Sequence, residues 1–197
     1  MPHSAAMAMT MGGRLVGLLL LLGASCSRTP PEPSPPPPSS RPTPTVAKNR
    51  EPLAAPTAAP GCPPDPEDAP PLPTAHVDFP SAPGKPRVEV EIAKTPRDTE
   101  RGLMYRKAMP EEHGMLFRLD ERREHVFWMH NTCIPLDMLF VEDDGTIVGI
   151  VEDAEPLTDS SRTVRKPSSW VLEVNGGWSQ RHGVRAGQTL VIPPEAR

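Results

Sequence analysis

The 197-residue chain has three cysteines and no Cys-x-x-Cys pair. Thioredoxin-like chemistry and a structural zinc site are therefore without support. It also lacks a Gly-x-Ser-x-Gly elbow, a phosphate-cradling glycine loop and a His-Glu-x-x-His pair, so the common hydrolase, nucleotide and zinc-protease templates do not apply. No apolar run approaches the ~20 residues that a membrane-spanning helix needs. Basic charge is not in excess: the net charge is -4, with 15 Lys and Arg against 19 Asp and Glu over residues 87–197. The signs are mixed and form no stripe, so phosphate-driven nucleic-acid binding is not expected.

Proline, by contrast, is abundant and uneven. Of 29 prolines, 21 fall between Ser27 and Pro86. Such a stretch suits neither helix interiors nor central strands, because proline lacks an N–H and fixes φ. Residues 26–86 therefore read as a low-complexity tether, with a polyproline II segment around Pro35–Pro38. The folded domain is expected over residues 87–197.

Ahead of the tether, Arg14 precedes the apolar run Leu15–Leu22, and the small residues Gly23, Ala24 and Ser25 lead to Cys26. A positive flank, a short apolar core and small residues before a cleavage point describe a secretory signal peptide over residues 1–25. The segment resembles the lipobox of bacterial lipoproteins, although Gly23 stands where that family usually has Leu. The resemblance implies lipidation of Cys26, a membrane anchor and a place in the cell envelope. Ser27, rather than Asp, after that cysteine implies the outer membrane in an organism that has one. Ordinary secretion with cleavage near Ala24 is the alternative.

An oxidising envelope would permit a disulfide between Cys62 and Cys133, pinning the end of the tether to the domain. Cys133 also lies in an apolar run, where a buried free thiol is the preferred reading.

The alternation of Arg87 to Ile92 places Val88, Val90 and Ile92 on one face of a strand. Thr95, Pro96 and Asp98 then form an N-cap, a first-turn proline and a capping-box acid, with Leu103 and Met104 expected to face the core. Further strands are expected at 115–117, 125–129, 138–141, 146–151, 170–174 and 189–192. Asp143-Asp144-Gly145 marks a hairpin turn, and a short turn or helix is expected at 178–182. Many short strands with one or two short helices predict a mostly β fold, a compact sandwich or barrel.

Four stretches carry a resemblance to a known family: Arg101–Arg106, Gly114–Phe117, Phe127–Asp137 and Val171–Gly177. In order and spacing they resemble the domain-of-unknown-function family 192, across nearly the whole domain. The resemblance implies a compact, often exported β fold and no particular activity. His130 stands where the family often has Lys, so a role built on a fixed cation is not expected there.

The densest chemistry lies between Trp128 and Asp137. Strand alternation puts Trp128 and His130 on one face and Phe127 and Met129 on the other. An aromatic platform beside Asn131 and Asp137, with Arg101 and Arg106 nearby, is the expected ligand-binding site. A core strand with a partly exposed Trp is the plainer alternative. Asp137 and Glu173 each interrupt an apolar run and need a partner if buried. The readings are arginine clamps from Arg101 or Arg106, or an acid–base pair. The methionines at 104, 115, 129 and 138, with His125 and His130, could ligate a soft metal. They fit core packing better, so no metal and no cofactor is expected.

The expected function is a non-catalytic envelope module binding a small polar ligand or cell-wall glycan, partnered with a membrane through its lipid. The alternatives are an envelope-polymer hydrolase using Asp137 and Glu173, and a purely structural domain.

Overall fold

The computed structural model describes residues 57–67 and 69–197. The signal segment, Cys26 and the tether up to residue 56 lie outside them. Six strands form one sheet: β1 (Thr74–Asp78), β2 (Arg87–Ala93), β3 (His113–Glu124), β4 (Leu136–Val141), β5 (Ile147–Ala154) and β6 (Pro167–Asn175), ordered β1-β2-β3-β6-β4-β5. Two short helices, α1 (Pro96–Arg101) and α2 (Trp178–His182), and a final 3-10 turn at Pro194–Ala196 accompany it. The fold is mostly β with few helices, as the sequence predicts. The sheet is not closed, so the barrel expectation is corrected: β1 and β5 remain its two edges. All pairings are antiparallel except β2 with β3. That parallel pair requires a crossover, and α1 with the turn after it supplies one.

Both faces of the sheet are covered. Val88, Val90 and Ile92 of β2 share one face with Leu116, Leu139 and Leu172, under Phe79, Trp178 and Leu190. On the other face, Met115, Phe117, Met138, Phe140 and Val171 pack beneath Leu103, Met109, Met129 and Ile134. A strand covered on both sides reads as continuous apolar sequence, and every residue of β4 is buried.

Three expectations need correction. The folded unit begins before Arg87, because β1 pairs with β2 and buries Val77, while Phe79 is fully buried. Thr74–Asp78 is free of proline and sits at the sheet edge, and Pro73 just ahead of it still accepts from the Ile92 N–H at 2.9 Å. Second, Cys62 and Cys133 form a disulfide with Cα atoms 5.3 Å apart, so Cys133 is not a free thiol. The Ala59 N–H donates to the Cys133 carbonyl at 2.7 Å beside it. Third, residues 125–129 and 189–192 are not strands. Phe127, Thr189 and Val191 each make only an isolated bridge.

Candidate functional site

The helix α1 is set by its cap. The Thr95 side chain accepts from the Asp98 N–H, and the Asp98 carboxylate accepts from the Thr95 N–H. The helix ends at Gly102, whose φ is +49°. A Cβ there would lie 3.2 Å from the Phe117 ring, so only glycine lets this turn rest so closely on β3. The turn carries Arg101, Leu103 and Met104 along one wall of an open cleft of about 600 Å³. Phe117 of β3 lines it, as do Phe127 and Trp128 on the far side and Glu173 of β6 beneath.

Glu173 is 5% exposed. Its carboxyl makes no hydrogen bond or ion pair with any described residue. It stands in register between Met115 of β3 and Met138 of β4. Burial among these side chains penalises the charged form and pushes its pKa up to about 8. At neutral pH it is mostly a carboxylic acid. Above it, Phe117 and Phe127 meet edge to face at 5.5 Å. Trp128 is half exposed and stacks on His130 at 5.1 Å. The sequence alternation thus holds in this segment without a strand: Phe127 and Met129 turn inward, Trp128 and His130 outward.

The other expected site residues are distributed differently. His130 Nδ1 lies 2.8 Å from an Asp159 carboxylate oxygen at the surface. Asn131, with φ +54°, donates from Nδ2 to the Tyr105 hydroxyl at 3.0 Å. Its carbonyl accepts from the Tyr105 N–H at 2.8 Å, so it fixes a turn. Arg101 lines the cleft and pairs with Asp65 at 2.5 Å. That pair holds the Asp65 carboxyl below its ordinary range. Arg106 makes a two-pronged pair with Glu91 at 2.5 and 2.6 Å, in a neighbouring groove of about 470 Å³. Neither arginine clamps Asp137 or Glu173, which corrects that expectation.

Asp137 is fully buried, with both oxygens occupied. It accepts from the N–H groups of Asp153, Gly177 and Ser179, each at 2.8 Å. It pins the entry of α2 and an irregular step in β5. Cross-strand register separates it from Glu173. Asp137 stands opposite Val174, and Glu173 opposite Met138, so the two carboxyls leave opposite faces of the sheet. Met115, Met129 and Met138 are packed in the second core. Among the described residues no cluster of three or more His, Cys, Asp or Glu is placed to hold a metal.

The model of an uncharacterized conserved-region family, DUF192, matches residues 80–192. The chain belongs to the DUF192 family. Solved structures that resemble it include the following two. One is a Sinorhizobium meliloti 1021 protein that carries a provisional description as a transcription regulator. It is 39% identical, covers 62% of this chain and 96% of its own, and has a TM-score of 0.59. The other is a protein of unknown function from Novosphingobium aromaticivorans DSM 12444. It is 32% identical, covers 64% and 95%, and also has a TM-score of 0.59. No curated protein matches the chain. The matched span takes in both cleft walls and Glu173. It leaves out everything through Phe79, including Cys62 and Asp65.

Sequence reading singled out Glu173 but coupled it to Asp137. The missing information was the register, which decides faces. It also passed over Phe117 as a site residue, because its place beneath the Gly102 turn depends on the crossover.

Proposed function

We propose that this chain is an exported, lipid-anchored envelope protein whose DUF192 domain binds a small polar ligand or glycan fragment without transforming it. The observation that carries this reading is Glu173: a largely buried carboxyl with no partner among the described residues, on the floor of an open, aromatic-walled cleft. Desolvation of a carboxyl without a neighbouring donor or cation disfavours its charged form, and a ligand group that supplies either relieves that cost. A cleft of this size with few polar groups among apolar walls is the usual form of a small-molecule site. Trp128 at the rim offers the flat apolar face on which sugars and planar ligands stack.

The absence of turnover is supported by the placement of the two acids. A hydrolytic acid–base pair must face one substrate, whereas Asp137 and Glu173 face apart and Asp137 is saturated with N–H donors. The site is therefore assigned to Glu173, Trp128 and Arg101, with Asn131, Asp137 and Arg106 supporting the frame. Export is supported by the Arg14–Cys26 pattern and by a disulfide, a bond that persists in oxidising compartments. A transcription-regulator role, as the Sinorhizobium protein is provisionally described, is not adopted, because direct nucleic-acid binding is not favoured by a net charge of -4 and Lys and Arg that form no stripe.

The test is a melting series on the purified chain with cell-wall fragments and free sugars, beside Trp128→Ala. A ligand that raises Tm in the parent and not in the variant supports the reading. Flat curves throughout overturn it in favour of a structural role. For the anchor, Cys26→Ser should abolish acyl labelling and release the protein from the membrane fraction. Unchanged fractionation would overturn lipidation.

A further inference from the structure

The proposed binding cleft leaves its ligand class open, and its interior narrows the choice. Three aromatic rings, Phe117, Phe127 and Trp128, line the cleft with a single deeply placed acid, Glu173. Both Glu173 oxygens are free of hydrogen-bond donors from the described residues. An aromatic-walled pocket with one buried carboxyl is suited to a cation bearing N–H groups. The ring faces attract positive charge, and the ammonium supplies the donors and the opposite charge that a buried carboxylate requires.

None of the surrounding charged groups is paired with this acid. On the α1 side, Arg101 is paired with Asp65, and Glu100 is exposed. At the end of β2, Lys94 donates to the Glu195 carbonyl at 2.5 Å. On β3, Arg118, Asp120, Glu121 and Arg123 are exposed, where solvent and salt screen them. His125 is tied through Nε2 to the Glu121 carbonyl at 2.8 Å. No cation in the wall reaches Glu173.

We propose that the cleft takes the primary-amine end of its ligand, an alkylammonium or amino-sugar group whose N–H donors meet Glu173 between the aromatic rings. This rests on the cleft being the binding site and adds the chemistry that fills it. The ligand arrives as an ammonium, and Glu173 gives up its proton to solvent as the ion pair forms.

The experiment is calorimetric titration of the purified chain at neutral pH with two matched pairs: hexylamine against hexanol, and glucosamine against N-acetylglucosamine. Each is run on the parent, Glu173→Gln and Trp128→Ala. Glu173→Gln keeps the shape of the side chain and removes its ability to ionise, so it is expected to fold, and its melting curve checks this. The expected result is at least tenfold tighter binding of each amine than of its neutral partner. That preference should be lost in Glu173→Gln, with weaker binding of all probes in Trp128→Ala. Neutral probes that bind as tightly as the amines, with dependence on Trp128, overturn the amine assignment and leave the cleft as the binding site. Amine binding unchanged in folded Glu173→Gln also overturns it. No binding by any of the four overturns the amine assignment as well, and the melting series then decides the cleft separately.

Discussion

Asp137 and Glu173 lie one register step apart on neighbouring strands and face away from each other through the sheet. The Asp137 carboxylate is satisfied by three N–H donors, and the Glu173 carboxyl has none among the described residues. Their substitutions should therefore act in opposite directions. Asp137→Ala strips acceptors from three N–H groups and should cost about 3 kcal/mol or more. Glu173→Gln removes a poorly placed titrating group and should leave stability at pH 8 unchanged or higher. Urea denaturation of both variants checks this; equal losses would contradict the assignment of the two roles.

The pH dependence follows from Glu173. Its folded pKa, about 8, lies above its ordinary value of 4.5, so between these values the folded state binds more protons than the unfolded one. Its contribution is full below about pH 4.5, declines across the window, and levels off above about pH 8. The limiting slope is about 1.4 kcal/mol per pH unit. Denaturation midpoints from pH 5 to 9 should fall in the parent and fall less steeply in Glu173→Gln. Parallel profiles would show that the carboxyl titrates normally.

Tyr105 and Asn131 both adopt left-handed backbone, with φ of +66° and +54°, and hold each other through the two bonds described above. Asn131→Ala loses the side-chain bond and places a Cβ residue without asparagine's tolerance for this region. The expected loss is about 1–2 kcal/mol. Asn131→Gly should recover the backbone part of it. A glycine variant no more stable than the alanine one would show that φ carries none of the cost.

The Cys62–Cys133 bond closes a loop across a sequence separation of 71 residues. Loop-closure entropy gives it about 4 kcal/mol. It also holds the segment whose Asp65 and Glu67 pair with Arg101 and Arg97 of α1. Cys62→Ser should lower Tm and expose residues 63–72 to proteases, while β2 to β6 stay protected in hydrogen exchange. Unchanged proteolysis would mean that the two ion pairs alone retain the segment.

Much of the fold was legible in local sequence. The alternation of Val88, Val90 and Ile92 marked β2, because a strand with one apolar face repeats every second residue. Thr95, Pro96 and Asp98 marked α1, because capping satisfies the free N–H groups of a first turn. Asp144-Gly145 marked the β4–β5 hairpin. The turn of Trp128 outward and Met129 inward was legible too, and so were the acids at 137 and 173 as residues needing an explanation.

What local sequence did not hold was pairing. Composition placed residues 57–86 in a tether, yet a proline-free five-residue strand within them finds an edge to pair with. Cys62 and Cys133 are far apart in the chain, and only the folded sheet brings their Cα atoms to bonding distance. Whether Asp137 and Glu173 share a face depends on the β4–β6 register, an interaction between distant segments. The sequence by itself determined β2, the capped start of α1 and the β4–β5 turn, because those depend on neighbours within a few positions. The tertiary structure alone decided that Asp137 is a clamp, that Arg101 and Arg106 serve other acids, and that Glu173 is left facing an aromatic cleft. Partner choice for a buried charge is a property of the whole packed sheet.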